Sequence, residues 1–574
     1  MAAASMQPPD ASRHAARGLF RVVFHGLRVW NSGEIIDVAL PPAALNDAID
    51  DGGLFSNLQT PATQGGGSAR TALSQEPVLP DGSVCERSIH IDADGLTIAP
   101  GLCDPHVHFR DPGQRDKEDM LSGCRAAAAG GFTTVLLMPN TAPAMDGRHV
   151  DVASAGSDDA DGIQDMRESG HDSVIDYLQH YAQSHGVVLP AKFLLSVCAS
   201  VGRSGLKASD PQDWMRYLRS EIALDPSDAA MAEHPLVAIS DDGSAVTSRT
   251  LAEVGANARR FSLPILDHCE HHETGVMNDG VTSRHLGLPG IPAATELAIV
   301  ARDIEFARQT GTHMHLQHVS TALAFDAIRK AKGEGLPVTC ETAPHYLALC
   351  DEDVQRFQTL AKMNPPLRSA ADRDATIAAV ADGTVDMLAT DHAPHTMHEK
   401  MQGMVKSPNG IIGLETAYGV CHRVLVDSGA IDDERLIELM SVAPARLMGF
   451  EAPDIPRLLD MQAATAEDSG NVEVGSQGNG SDRGARERRI LDLSGLDRSA
   501  VNSSAFDYTI LDTRGTWTVK SANFHSKARN TPFEGMKVSG RAQATILDGR
   551  IAFSRIPASR LTEVSRLTGE DKLR

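Results

Sequence analysis

Six histidine and aspartate residues are the part of this sequence best suited to chemistry, and all lie near the ends of short apolar runs. His106 and His108 are two residues apart in APGLCDPHVH (99–108). Residues at this spacing share one face of a β-strand, so both imidazoles can reach one point. Four other runs end in Asp242, His268, His318 and Asp391. Imidazole nitrogens and carboxylate oxygens are suitable ligands for zinc or a similar divalent ion, so the pattern predicts a metal site.

The elements that would position these residues form one block between 97 and 450. Eight short apolar runs, from APGLCDPHVH (99–108) to VDMLATD (385–391), alternate with stretches of helical periodicity. Eight strand–helix units predict the α/β class and a parallel (β/α)8 TIM barrel. The carboxyl ends of barrel strands meet at one face, where active sites are built. The six ligand-type residues are therefore expected to converge there.

The flanking segments have a different pattern. Residues 19–96 and 506–560 alternate like strands joined by tight turns, and we predict that these N- and C-terminal segments form one composite small β-sandwich domain. Residues 1–18 are predicted to be a disordered tail. Flexible insertions are predicted at 46–83, which is rich in Gly, Ser, Pro and Thr, at 154–172, which is acidic and rich in Gly and Ser, and at 462–489, which has almost no apolar periodicity.

Composition excludes several classes of protein. The chain has 574 residues and a net charge of −23, which argues against binding to nucleic acid. No apolar run approaches the roughly 20 residues of a membrane span, so we expect no membrane association. The eight cysteines are scattered without a C-x-x-C pair, which is typical of free thiols in a cytoplasmic protein.

A set of motifs in fixed order resembles the dihydroorotases of the amidohydrolase superfamily. The motifs are DPHVHFRDPG, ISDDGS, DHCE, LQHVS, NPPLR, ATDHAPH, NGIIGLETA and RNTPFEGMKVSG. The resemblance implies a zinc-dependent cyclic amide hydrolase with one or two Zn²⁺ ions per subunit. Its reaction would be the reversible cyclisation of N-carbamoyl-L-aspartate to (S)-dihydroorotate plus water, a step of de novo UMP (pyrimidine) biosynthesis, by metal-activated hydroxide and an aspartate proton shuttle.

The resemblance also assigns the metal ligands. His106 and His108 would hold one zinc, His268 and His318 the second, and Asp391 would contact the first zinc and shuttle the proton. Many superfamily members bridge the metals with a carbamylated lysine at the end of the fourth strand. This chain has no lysine between Lys207 and Lys330, and its fourth run ends in Asp241 and Asp242. The match favours Asp242 as the bridge; Asp241 would face the other way in a regular strand.

Further residues are assigned to the substrate. Arg110 lies two residues beyond His108, and its planar guanidinium suits a carboxylate. The resemblance places His108 at the substrate, Arg110, Asn140 and His395 at the carboxylate of the substrate, and Asn364, Asn409 and Gly410 at the amide edge of its ring. The loop after Asp391 is expected to cover the mouth of the barrel, with His398, Glu399 and Lys400 solvated.

Two alternatives remain at this stage. One is another cyclic amidase, such as a hydantoinase or allantoinase; the missing lysine and the presence of Arg110 count against it. The other is a non-catalytic scaffold for aspartate carbamoyltransferase, although every ligand position is filled. The expected partner is a small-molecule substrate. The sequence leaves open a homo-oligomer or a complex with aspartate carbamoyltransferase.

Overall fold

The computed structural model describes residues 20–43, 45, 48–55, 87–150, 160–222, 233–270, 275–468 and 488–566. The chain divides into two compact units. One comprises 98–453 and 507–547, and the other comprises 1–97, 454–506 and 548–574. The predicted tail at 1–18 lies outside the described residues, as do most of the insertion at 46–83 and residues 469–487 of the third insertion.

The first unit contains the predicted barrel. Its eight strands are β1 (Leu102–Val107), β2 (Phe132–Leu137), β3 (Lys192–Cys198), β4 (Leu236–Ser240), β5 (Ile265–His268), β6 (Met314–Gln317), β7 (Val338–Thr342) and β8 (Met387–Leu388). They are hydrogen-bonded in chain order. A parallel bridge between Val107 and His392 joins the two ends of the sheet. Because both faces of a parallel sheet are covered, its strands are nearly continuous apolar runs, and this made them recognisable in the sequence.

The helices of this unit follow the strands. They are Met120–Gly130, Ala160–Glu168, Val174–Gln179, Tyr181–His185, Pro211–Trp214, Arg219–Ile222, Leu251–Phe261, Val281–Leu286, Ala294–Thr310, Ala322–Gly333, Pro344–Ala348, Val354–Phe357, Ala370–Ala381, Met397–Lys400, Gly403–Lys406, Ala417–Cys421, Asp433–Ile437 and Ala443–Leu447. The first begins at Asp119, whose carboxylate accepts a hydrogen bond from the Ser122 main-chain N–H. It ends at Gly131, with φ +96°. There a Cβ would lie 2.9 Å from the side chains of Thr509 and Ala542.

A β-hairpin of Tyr508–Thr518 and Lys537–Leu547 also belongs to the barrel unit. Thr545 Oγ1 donates to Ala128 O at 2.6 Å, and Thr509 Oγ1 donates to Gly131 O, so the hairpin is fastened to the first barrel helix. The sequence assigned this segment to the composite small β domain, and that assignment stays a prediction. Alternation identifies a half-buried strand but does not identify the element that covers its buried face.

The second unit contains an additional sheet made from both ends of the chain. Phe20–Val29 pairs with Ile35–Ala39 and with Arg87–Asp92. The C-terminal strand Leu561–Arg566 pairs with Arg87–Asp92, and Ile490–Asp492 pairs with Ile35–Ala39. Arg550–Ser554 pairs with the short strand Ile49–Asp50. This sheet confirms the prediction of a small β domain formed by N- and C-terminal segments.

Two predicted insertions contain helices. Ala160–Glu168 lies within the predicted insertion at 154–172, where Ile163 and Met166 bury one helical face. Ile455–Asp468 runs into the insertion predicted from residue 462. Gln462 fixes it by donating to Asp492 O at 2.5 Å and accepting from Asp492 N at 3.2 Å. Within the described ranges, no helix is long and apolar enough to cross a membrane.

Candidate metal centre

The six predicted ligands come together at the carboxyl ends of the barrel strands. His106 lies in β1 and His268 ends β5, while the others lie just beyond β1, β4, β6 and β8. Five of them form two groups whose ligand atoms lie within 4.8 Å of one another: His106, His108 and Asp242, and Asp242, His268 and His318. All five side chains are buried. Asp242 is the member that both groups share.

The Asp242 carboxylate is surrounded by imidazole nitrogens. Its Oδ1 lies 3.3 Å from His106 Nε2 and 3.3 Å from His268 Nδ1, and its Oδ2 lies 3.3 Å from His108 Nε2. His318 Nε2 is 3.8 Å from Oδ1. Burial disfavours the charged carboxylate, but the fields of His106 and His108 outweigh burial and hold the pKa of Asp242 well below its usual value.

Asp391 closes the centre on the side of the first group. Its Oδ1 lies 3.0 Å from His108 Nε2 and 3.6 Å from His106 Nε2. The side chain is 4% exposed, so it faces the ligand cluster and not open solvent. This carboxylate would therefore be within reach of a metal held by the first group.

The orientation of the imidazoles fits a divalent metal. His106 Nδ1–H donates to Glu341 Oε1 at 2.6 Å, and His108 Nδ1–H donates to Asn140 Oδ1 at 2.9 Å. With Nδ1 engaged in this way, loss of the Nε2 proton would leave each ring with a lone pair aimed at the centre, as a metal ligand needs. Among the described residues, His106 Nε2 is buried and makes no hydrogen bond. A buried ring nitrogen of this kind needs a partner, which a metal ion would supply.

The neighbouring aspartate, Asp241, faces away from the cluster. Its Oδ1 accepts from Ser200 N at 3.0 Å, and its Oδ2 accepts from Ser200 Oγ at 2.5 Å. Burial raises the pKa of this carboxyl to about 6. Of the two aspartates that end the fourth run, Asp242 is the one that lies in the ligand cluster.

Glu341, in β7, is a functional residue that the sequence did not single out. Its Oε1 accepts from His106 and its Oε2 lies 3.1 Å from His315 Nε2. Burial disfavours its charge, but His106 and His315 lower the pKa of Glu341 to about 2. The available signal was a carboxylate within the apolar run PVTCET, because a buried charge needs a partner. His315 belongs to neither ligand group and contacts the second oxygen of Glu341.

Asp391 has an unusual backbone conformation, with φ +47°. The preceding residue is held by a buried carboxylate: Thr390 N donates to Asp104 Oδ1 at 3.1 Å, and Thr390 Oγ1 donates to Asp104 Oδ2. Asp104 Oδ1 also accepts from His106 N at 3.2 Å. One carboxylate thus connects the ends of β1 and β8.

His318 has the same kind of backbone, with φ +38°. Here the buried carboxylate is Glu296, which accepts from Ser320 N at 3.1 Å and from Thr321 N at 2.8 Å. Non-glycine residues seldom adopt positive φ, and such residues concentrate at functional sites. Two of the six predicted ligands are therefore held in strained conformations by buried acids.

The predicted substrate residues border the cluster. Arg110 is partly buried and its Nε donates to Pro394 O at 3.4 Å. Burial lowers the pKa of Arg110 to about 10, against the opposing fields of Asp391 and Asp242. The Asn364 amide lies 3.3 Å from His268 Nε2. The Asn140 amide oxygen is engaged by His108, so this residue orients a predicted ligand.

His395 and Gly410 are in contact. Gly410 has φ +147°, and a Cβ there would lie 2.7 Å from His395 Cδ2. Burial and the charge of Arg110 lower the pKa of His395 to about 2, so its ring is neutral. Asn530, in the RNTPFEG motif, accepts from His395 N at 3.1 Å and donates to Gly410 O at 3.0 Å. The sequence had not assigned Asn530 a role; its motif was the only signal.

Comparisons with known proteins agree with this arrangement. Residues 97–453 match the model of the amidohydrolase family. The dihydroorotase of Citrifermentans bemidjiense is 35% identical over 485 residues, covering 84% of this chain and 92% of that protein. The dihydroorotase of Anaeromyxobacter dehalogenans is 38% identical over 476 residues, covering 82% and 89%.

Solved structures show the fold. The L-hydantoinase (dihydropyrimidinase) from Arthrobacter aurescens has a TM-score of 0.60 at 20% identity and covers 95% of this chain and 98% of its own. A dihydropyrimidinase from Brevibacillus agri has a TM-score of 0.58 at 17% identity, with 94% and 96% covered. At such identities the likeness shows a common architecture alone. With the family match and relatives above 30% identity over most of both chains, the chain belongs to the amidohydrolase family and, within it, to the dihydroorotases.

Proposed function

We infer that this protein is a dihydroorotase that interconverts N-carbamoyl-L-aspartate and (S)-dihydroorotate. The observation that carries the inference is the aspartate shared by two histidine groups at the end of β4, in a chain whose relatives over most of its length are named dihydroorotases. The full set of six ligand-type residues supports an active enzyme over a non-catalytic scaffold.

The proposed metal is zinc, with one or two ions per subunit. His106 and His108 would hold one ion and His268 and His318 the other, with Asp242 shared. Nitrogen and carboxylate donors of this kind suit zinc. When bound, the metal would lower the pKa of a water molecule and stabilise negative charge on the substrate carbonyl oxygen.

The substrate would be oriented by its carboxylate. Arg110 offers a planar fork of N–H donors, and its partial burial strengthens a charged pair with the substrate. His395 and Asn140 lie at the same end in this proposal. Asn364 and the main chain of Asn409 and Gly410 would meet the amide edge of the ring, which fixes the carbonyl carbon above the ligand cluster.

Asp391 would move the proton. In ring opening, its carboxylate takes a proton from the attacking water and returns it to the departing ring nitrogen. In ring closure the same oxygen removes a proton from the carbamoyl nitrogen. The proximity of Asp391 Oδ1 to His108 Nε2, at 3.0 Å, supports this role because it places the carboxylate beside the cluster that would position the water.

A hydantoinase is the competing function, and the solved structures quoted above carry that name. Their likeness supports the barrel and not the substrate. At the end of β4 this chain carries an aspartate, whereas the resemblance implies a carbamylated lysine at that place in other cyclic amidases. In addition, the planar guanidinium of Arg110 suits a substrate ring that bears a carboxylate. The proposed activity is consistent with a cytoplasmic location. It is also consistent with an enzyme that acts alone, as a homo-oligomer or in a complex with aspartate carbamoyltransferase.

The test is metal analysis of the purified full chain, with ring-opening assays on dihydroorotate, hydantoin and allantoin. We expect zinc in the protein, turnover of dihydroorotate alone, loss of activity with a chelator and recovery on adding zinc. Preferential turnover of hydantoin or allantoin would assign a different amidase. A zinc-loaded protein without activity on any of the three would favour the scaffold.

A further inference from the structure

Lys400 is a buried lysine in the loop that follows Asp391, although the sequence had suggested a solvated position. It is 1% exposed, and all of its hydrogen bonds go to main-chain carbonyls. Its Nζ donates to Pro408 O at 3.0 Å, to Gly410 O at 3.0 Å and to Lys362 O at 3.4 Å. The ammonium therefore contacts the carbonyls on both sides of Asn409.

The neighbouring acid does not neutralise Lys400. Glu399 pairs with Lys117 at 2.8 Å and accepts from Thr396 N at 2.9 Å. Within the described ranges, no carboxylate lies within 4.0 Å of the Lys400 ammonium. Burial, and then the nearby Lys362, lower the pKa of Lys400 to about 7. Burial of an ammonium without an ionic partner opposes folding, so these carbonyl contacts come at a cost in stability.

The segment that Lys400 contacts is fixed from several sides. Gly410 N donates to Lys362 O at 3.0 Å, and Asn530 Nδ2 donates to Gly410 O. The Lys362 ammonium donates to Ser407 O at 2.6 Å. The peptide at Gly410 is thereby held at both its N–H and its carbonyl. Lys400 is the donor that joins this peptide to Pro408 and Lys362.

The position of this segment matters because Gly410 contacts His395. The left-handed backbone of Gly410 brings it against the His395 ring, and a Cβ would also lie 2.7 Å from Ala393 O. A shift of the 408–410 main chain would therefore displace the groups proposed to meet the ring amide and the carboxylate of the substrate.

We propose that Lys400 is a positioning residue for substrate binding, which holds the main chain of Asn409 and Gly410 in place through its ammonium group. This role rests on the proposed dihydroorotase function. Lys400 does not touch the reacting atoms or the ligand cluster, so its loss is expected to affect KM for dihydroorotate and leave zinc content unchanged.

The experiment compares Lys400→Met with Lys406→Met in the full-length, zinc-loaded protein. Methionine keeps most of the side-chain volume but has no donor, and Lys406 is an exposed lysine of the same loop. Losing hydrogen bonds from a charged donor corresponds to about a tenfold effect or more. We expect KM for dihydroorotate to rise about tenfold in Lys400→Met, with kcat changed by less than about threefold and no change in Lys406→Met.

A readout independent of activity is amide hydrogen exchange at 407–411. Exchange should be about tenfold faster in Lys400→Met and unchanged in Lys406→Met, even if wild-type protein does not act on dihydroorotate. An unchanged KM, or a fall in kcat with KM constant, would overturn the positioning role, as would unaltered exchange. If Lys400→Met does not fold, Lys400→Leu, which also lacks a donor, is measured against the same outcomes.

Discussion

Replacing Asp242 should distinguish its role from that of Asp241, the other aspartate just beyond β4. Asp242 is the only residue common to both ligand groups, so Asp242→Ala removes one ligand from each group and leaves two histidines in each. Losing a residue that merely supports a ligand already costs ~10–100-fold in metal affinity. We therefore expect at least that loss for Asp242→Ala, zinc content far below the wild-type value, and no measurable turnover of dihydroorotate.

Asp241→Ala should give the opposite result. It leaves the Ser200 N–H and hydroxyl without the acceptor that now lies at 3.0 and 2.5 Å. Each buried unsatisfied group costs about 1–3 kcal/mol, so the free energy of unfolding should fall by about 2–6 kcal/mol. Because its carboxylate faces away from the cluster, zinc content per folded protein and part of the activity should remain.

The assay is zinc content, dihydroorotate turnover and denaturant unfolding on both variants. Asp241→Asn serves as a control, because it keeps an acceptor for Ser200. Asp242→Asn tests charge separately from size, since it keeps one oxygen but removes the negative charge between the histidines. Equal zinc loss from the two alanine variants, or loss only from Asp241→Ala, would refute the assignment of Asp242 as the shared ligand.

Three other outcomes are expected. Arg110→Lys keeps the charge but loses the planar fork, so kcat/KM should fall by about 10–100-fold with zinc content unchanged; normal kinetics would place the substrate carboxylate elsewhere. Asp391→Asn should keep most of its zinc while turnover falls by ~10²–10⁴-fold, as for a lost general base; parallel loss of zinc would make the residue chiefly a ligand. Replacing 469–487, a polar segment without apolar periodicity, by a short Gly/Ser link should leave soluble expression, zinc content and turnover unchanged, and loss of any of them would show that the segment packs on the fold.

The barrel could be predicted because its strands leave a local signal, and the candidate ligands lie at the ends of the same apolar runs. A strand buried on both faces is a short apolar run, and the polar residue that ends it stands out, as His268 does at the end of PILDH (264–268). The choice of Asp242 over Asp241 came from the resemblance, since strand geometry says only that neighbouring residues face opposite ways. The structure places Ser200 against Asp241 and histidines around Asp242.

Other features depend on contacts that sequence patterns do not encode. Glu341 lies within a run whose pattern predicts an ordinary strand. Its role is to accept a hydrogen bond from His106, which is far away in the chain. Lys400 looked solvated because a polar loop gives no indication of which side chain turns inward. The Tyr508–Leu547 hairpin alternates like an independent sheet, yet Thr545 and Thr509 fasten it to a barrel helix.

Two of the candidate ligands have a strained backbone, and a buried acid fixes the main chain close to each of them. His318 and Asp391 have positive φ, a conformation that costs about 1–3 kcal/mol for a residue other than glycine. Glycine would relieve the strain but would remove the ligand atom, so the cost has to be offset nearby. Asp104 accepts from the N–H of Thr390, next to Asp391, and Glu296 accepts from the N–H of Thr321, three residues after His318, so both acids fix the main chain close to a strained residue. Neither acid lies in the ligand groups, yet substitution of either is expected to disturb the metal centre, because it releases the turn that aims the ligand.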